Sequence, residues 1–227
     1  MIRLLESFEQ VGKAVLTLQR RGYHLHSTPQ KNWDLAQILS ILDNEKPNTI
    51  LDMGCAGWHV LTLCRDWGVE NIWGIDLEFR LVDRLRPYLY AIRNKSVKLP
   101  YRVIRGDMTK TNFPNNSFDV ITCLSVIEHG VNVESFLKET SRLLRRNGKL
   151  YVSTDYWEPK ILVEKSIRPF GLNWNIFSKK EIENLVDIAK KCNLKMDDES
   201  ISQTKEKVVH WNKKDYTYIS LIFKKVI

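Results

Sequence analysis

Apolar positions near the start of the chain recur at helical spacing (Leu4, Leu5, Phe8, Val11, Val15, Leu18), and the pattern ends near Gly22. After the turn at Ser27-Thr28-Pro29 a second helical pattern runs through Trp33, Leu35, Ile38, Leu39 and Leu42, closed by Lys46-Pro47. The period then changes. Short apolar or β-branched runs at Thr49–Met53, Ile72–Asp76, Tyr101–Arg105, Phe118–Leu124 and Lys149–Thr154 have strand length. Helical stretches at Val60–Trp67, Phe79–Ile92 and Val133–Leu144 separate them. Strands alternating with helices predict a mostly parallel sheet covered on both faces.

The last third breaks that rhythm. Ser178 followed by Glu181 is a capping box that opens a helix through Cys192. Leu194–Glu206 and Tyr216–Lys225 read as two strands, with the polar turn Trp211-Asn212-Lys213-Lys214 between them. With no helix to cross over, they are expected to pair antiparallel at the sheet edge. Tyr156–Asn175, rich in aromatics and holding Pro159 and Pro169, reads as a long loop, and long loops in compact domains tend to be functional.

Composition narrows the class. The 227 residues are 43% hydrophobic and 27% charged, with no apolar run long enough for a membrane span. The N-terminus lacks a signal-peptide pattern, and Cys55, Cys64, Cys123 and Cys192 show no CxxC spacing. They are expected to be reduced core thiols of a cytoplasmic protein. Much of the net charge of +8 lies between Arg80 and Arg105 and in the last third, spread out rather than clustered, and it fits a nucleic-acid partner, an anionic substrate or merely solvated helix faces.

Three acids carry the chemistry. In Ile50-Leu51-Asp52-Met53-Gly54-Cys55-Ala56-Gly57-Trp58 a strand ends, the chain turns at Gly54, and a helix begins whose N-terminal amides favour an anion. The small residues Gly54, Ala56 and Gly57 let a ligand approach the backbone. A dinucleotide fingerprint would need glycine at 54, 56 and 59; the chain has Gly54, Ala56 and His59. Trp73-Gly74-Ile75-Asp76-Leu77 places a carboxylate at the end of the next strand, where a ribose diol would be gripped. Arg105-Gly106-Asp107-Met108 adds a third strand-end acid. No His/Cys/Asp/Glu group has ligand spacing, so no catalytic metal is expected.

With these motifs on residues 49–155, the sequence resembles the class I S-adenosylmethionine-dependent methyltransferases, especially those with small-molecule acceptors. The resemblance implies a Rossmann-like, doubly wound α/β fold: a mostly parallel seven-stranded sheet with an antiparallel C-terminal strand pair. It implies S-adenosylmethionine as cofactor. The loop of Asp52, Gly54, Ala56 and Gly57 would hold the methionine end, and Asp76 with its neighbour Leu77 the ribose. Asp107 would meet the adenine amino group and Met108 the ring, with Leu124 ending the fourth strand beside them. The stretch Asn116–His129 resembles the family's fourth strand and turn, and Arg142–Leu150 the Gly turn into its fifth. Ala56 and Trp58 depart from the family's glycines. Lys31-Asn32-Trp33-Asp34 and the Tyr156-Trp157 loop resemble methyltransferases of polysaccharide and glycolipid gene clusters.

The expected organisation is one domain: a helical cap over 1–48, a cofactor core over 49–155, and an acceptor loop, helix and hairpin over 156–227. Residues 1–43 and 156–177 are expected to form a lid over a small-molecule acceptor, most simply a hydroxyl of a sugar, glycolipid or similar metabolite. A hydroxyl acceptor benefits from a general base. His129 is the first candidate and Asp155 the second, with His210 also near the strand edge. Nucleic acid is disfavoured because Ser125-Val126-Ile127-Glu128 stands where base-amino methyltransferases carry an Asn/Asp-Pro-Pro-aromatic motif. A non-catalytic cofactor-binding subunit is the remaining alternative, as a monomer or homodimer.

Overall fold

The computed structural model describes residues 1–78 and 81–227. In chain order the elements are β1 (Ile2–Leu4), α1 (Phe8–Arg20), α2 (Lys31–Glu45), β2 (Thr49–Met53), α3 (His59–Trp67), β3 (Asn71–Asp76) and α4 (Leu81–Arg93). There follow β4 (Arg102–Arg105), β5 (Phe118–Leu124), α5 (Val133–Leu143), β6 (Leu144–Tyr156), α6 (Lys179–Lys191), β7 (Leu194–Lys195), β8 (Val209–Trp211) and β9 (Lys214–Lys225). The helix expected from Phe79 begins at Leu81 among the described residues; Phe79 and Arg80 lie outside them.

The main path of the sheet is β1-β9-β6-β5-β2-β3-β4, seven strands, with β7 and β8 as short additions on β9. Pairs β2–β3, β2–β5, β3–β4 and β5–β6 are parallel, and β9 runs antiparallel to β6. β2 and β5 read Ile-Leu-Asp-Met and Phe-Asp-Val-Ile-Thr-Cys-Leu because both faces are covered, which removes the alternation of a half-exposed strand. One core cluster packs Met53, Ile121, Phe136, Leu150, Ile182 and Leu221 against α5 and α6. The other packs Leu39, Ile50, Leu61 and Tyr151 against α2 and α3.

Two expectations for the sheet edge are corrected. The opening apolar run is not all helix: Ile2–Leu4 pairs antiparallel with Leu221–Ile219, and the Leu5 amide donates to the Tyr218 carbonyl at 2.9 Å. The helix starts only at Phe8, where Ser7 accepts the Gln10 amide at its N-cap. Leu194–Glu206 is not a strand beyond Lys195. Its acidic run Asp197-Asp198-Glu199 turns instead, with the Ser200 amide donating to Asp198 Oδ1 at 2.9 Å, and β1 already fills the edge that a longer strand would need. The C-terminal pair exists as the β8–β9 hairpin, but β9 lies between β6 and β1 rather than at the margin. The capping box at Ser178 and Glu181 forms as expected.

β3 approaches the Gly54 loop closely at Gly74. A Cβ there would lie 2.5 Å from Cys55 Sγ and 3.0 Å from Leu61 Cδ1, inside a packed interior. Gly74→Ala is expected to destabilise by about 1–3 kcal/mol through overpacking, read as a lower urea midpoint at unchanged slope.

Candidate active site

The three strand-end acids line up at the carboxyl ends of adjacent strands, the edge where open α/β sheets bind ligands. Gly54 takes φ +82, a conformation open to glycine, and its amide donates to the Ile75 carbonyl at 2.8 Å, which ties the loop to β3. A Cβ on Gly54 would come 2.2 Å from Val126 Cγ2, so the turn after β5 closes on this loop. Ala56 and Gly57 are exposed on a single 3-10 turn.

Asp76 is braced by backbone: Oδ2 accepts the Ala56 amide at 3.0 Å and Oδ1 the Glu78 amide at 3.2 Å. Each oxygen keeps a lone pair, an arrangement suited to the two hydroxyls of a diol. Burial raises its pKa, opposed by those amides. Asp107 is exposed, with Oδ1 accepting the Thr109 amide and hydroxyl. Leu77 is 54% exposed beside Asp76 and Leu124 is half-buried. Met108 lies in the core cluster with Met53 and Ile75. Asp52 is turned inward, where Oδ1 accepts the Thr122 hydroxyl at 2.7 Å. The donor set therefore fits an adenosine-like ligand: acids for hydroxyl and amino donors, and exposed small residues for close approach. Trp58 does not enter the interior; it is half-buried with the Arg86 guanidinium 3.0 Å above its ring.

A second constellation lies where β5, β6 and β9 end, and most of it was not anticipated. Lys31, at the first position of α2, donates from Nζ to Ser125 Oγ and lies 3.8 Å from the centroid of the Tyr218 ring. Burial alone would lower this ammonium, yet Tyr218, Asp34, Asp155 and Glu128 around it hold it above its ordinary pKa. Asp155 Oδ2 accepts Trp174 Nε1 at 2.8 Å; burial pushes its carboxyl up to about 6, against the pull of Lys31. Glu128, 1% exposed, accepts the Thr154 hydroxyl at 3.0 Å and is driven well above the carboxylate range by burial and by Asp155. It precedes α5, whose N-cap is Asn132, so it serves the buried cluster and not a helix end.

His129 is half-buried against Phe170, and burial and Lys31 lower its pKa. Its Nδ1 is buried with no hydrogen-bond partner among the described residues. His210 is not part of this group: it is exposed on the β8–β9 hairpin and bonds to Asp215. His26 and His59, without an assigned place from sequence, have ring centroids 4.0 Å apart, and burial and His59 lower His26 to about 4. Trp33, Trp157 and Trp174 pack in one cluster with Tyr216 and Tyr218, which brings the N-terminal helices and the 156–177 segment together. The signal for Lys31 and Asp34 was present, since α2 is otherwise buried almost all round and opens with a base and an acid three residues apart. Among the described residues no group of three or more His, Cys, Asp or Glu could hold a metal ion. Glu158 accepts the Lys179 amide at 2.9 Å.

Burial raises Asp52 from 3.8 to about 7, with the Asp76 charge adding to the effect. The folded protein then binds more protons than the unfolded chain between those values, so this carboxyl's contribution to stability falls as pH rises through that window. Asp52→Asn keeps an acceptor for Thr122 and removes the penalty. Its urea midpoint relative to the parent is expected to rise from about pH 4 to about pH 8; a gap independent of pH would refute the burial effect.

Comparison with known proteins points to methyltransferases. The family described as "Methyltransferase domain" matches residues 51–152. The ubiquinone biosynthesis O-methyltransferase of Pelagibacter ubique is 31% identical over 157 residues, 65% of this chain and 61% of that protein. The tRNA U34 carboxymethyltransferase of Idiomarina loihiensis is 24% identical over 139 residues, 59% of this chain and 41% of that protein. The chain thus spans less than two thirds of the length of either relative. The geranyl diphosphate C-methyltransferase of Streptomyces coelicolor A3(2) superposes with a TM-score of 0.60 at 17% identity, over 90% of this chain and 86% of that one, a likeness of fold. That structure was solved in complex with Mg2+, geranyl diphosphate and S-adenosyl-L-homocysteine. Residues 51–152, a little under half of the chain, are thus similar to a methyltransferase domain.

Proposed function

We propose that this protein transfers the methyl group of S-adenosylmethionine to a hydroxyl oxygen of a small molecule such as a sugar, glycolipid or similar metabolite. The observation that most supports this is the junction at Val126, which abuts Gly54 on the cofactor side and follows Ser125, the partner of Lys31, on the other. A ligand edge lined by acids and a buried ionisable cluster therefore meet one residue apart. Asp76 and Asp107 would hold ribose and adenine, with Leu77 and Leu124 flanking, and the Gly54–Gly57 loop would hold the amino-acid end.

Methyl transfer from a sulfonium is an in-line displacement that needs alignment above all. The Lys31 ammonium disfavours a protonated amine as acceptor and favours an oxygen that gains negative charge as its proton leaves. The relatives named for ubiquinone biosynthesis are O-methyltransferases, which supports oxygen as the acceptor atom. His129 is the preferred base: its lowered pKa keeps the ring neutral near neutrality, and its Nδ1 has no competing partner among the described residues. Asp155, engaged by Trp174, is second.

His129→Ala is expected to lower turnover about 10²–10⁴-fold, measured as methyl release with a mixture of hydroxyl metabolites, while cofactor affinity barely moves. Activity depends on the unprotonated base, so kcat/KM falls as pH drops below the His129 pKa. If that limb persists unaltered in His129→Ala, the base is Asp155. Near-normal turnover in the variant removes His129 from the chemistry.

Asp76→Ala is expected to weaken S-adenosylmethionine binding in calorimetry by the loss of up to two charge-assisted hydrogen bonds, about 1.5–3 kcal/mol each. Gly54→Val should weaken it further, because the turn has positive φ and Val126 already fills the space a Cβ would need. Unchanged affinity in Asp76→Ala would defeat the ribose assignment.

A further inference from the structure

A helix between two parallel strands normally lays its aliphatic face on the sheet. Helix α4 does the reverse. Val82, Leu85, Leu89 and Ile92 are 49%, 46%, 56% and 75% exposed. At helical pitch they and Tyr88 occupy one outward stripe about 120° wide. The opposite side faces the body: Pro87 is buried, the Arg65 guanidinium lies 4.3 Å from the Tyr90 ring centroid, and Arg86 stacks on Trp58. Cation–π contacts hold the helix, and its aliphatic stripe is left outward. The loop beyond continues the surface, with Val97 fully exposed and Leu99 38% exposed.

Charge is concentrated in the same place. Residues 80–105 contain eight Lys and Arg and a single acid, Asp83, against a net charge of +8 for the whole chain. At the same pitch, Arg84 and Arg93 border the stripe on its two sides, and Lys95 and Lys98 extend the basic margin into the loop. We propose that α4 and the loop to Leu99 form a peripheral docking surface for an anionic lipid bilayer. An aliphatic stripe between basic borders matches an acyl boundary beneath anionic headgroups. RNA would call for stacking rings, and this stripe is aliphatic apart from Tyr88. A second copy would set two basic borders against each other. No described helix is long and apolar enough to cross a membrane, so the contact is superficial.

The test is co-sedimentation of the full chain with vesicles of equal parts phosphatidylglycerol and phosphatidylcholine, and with phosphatidylcholine alone. Binding is expected to be at least about tenfold stronger to the anionic vesicles and to weaken with salt. Leu85→Glu/Leu89→Glu should lower it about tenfold or more, with S-adenosylmethionine affinity and melting temperature unchanged. Arg84→Gln/Arg93→Gln, which leaves the stripe intact, should remove the preference for anionic lipid. Absence of vesicle binding, or equal binding by the Glu variant, overturns the proposal. So does a result in which that variant abolishes polyuridylate binding or a dimer in sedimentation and leaves vesicle binding alone.

Discussion

The Lys31 ammonium lies among Asp34, Glu128 and Asp155, and it is the counter-charge that lets three acids share the interior at the end of the sheet. Isolated buried carboxylates are expensive, and a cation beside them offsets that cost only if it is fixed. Here the fixing is mutual. Lys31 opens α2, Glu128 and Ser125 belong to the turn after β5, Asp155 ends β6, and Tyr218 comes from β9. Asp34 takes the Tyr151 hydroxyl at 2.8 Å, and Asp155 draws in Trp174 from the long loop. One charge thus ties α2, the turn after β5, the end of β6, β9 and the long loop together over the strand ends. The geometry of any acceptor pocket there is inherited from this arrangement.

The proposed cofactor edge and the proposed acceptor edge differ in how they hold their acids. Asp76 is satisfied by the backbone of its own loop and of the residue after β3, so it is rigid before any ligand arrives. Preorganised acceptors of this kind lose little freedom on binding. Glu128 and Asp155 are instead raised by burial, Glu128 further by the Asp155 charge, and both are pulled back by Lys31. If the proposed function holds, a fixed cofactor seat would stand beside a cluster of buried acids at the acceptor side.

The core of the fold was legible because its signals are local. β2 and β5 match their expected bounds, and β3, α3 and α5 do so within a residue, since periodicity and strand-end acids mark them without long-range information. The edge was not. Ile2–Leu4 has a pattern that either a helix or a strand could use, and only the open flank of β9 decides between them. Leu194–Glu206 looked extended by composition, but the partner edge was taken and the acidic run turned. In the site, Asp52, Asp76 and Asp107 could be named from strand ends, whereas Lys31 and Tyr218 meet only through tertiary packing. Helical spacing predicts α4 but not which of its faces turns outward, which is set by Arg86 on Trp58 and Arg65 on Tyr90, contacts with no signature in the sequence pattern.

The outer flank of β9 is covered by three short pieces from distant parts of the chain: β7 at Leu194–Lys195, β1 at Ile2–Leu4 and β8 at Val209–Trp211. The Met1 ammonium donates to the Ile222 carbonyl across 221 residues of sequence. During synthesis, then, the amino-terminal strand has no partner until β9 emerges, while the parallel strands β2 to β5 can already associate. The flank of the sheet therefore cannot close before β9 exists, and β1 takes its place only beside that late strand.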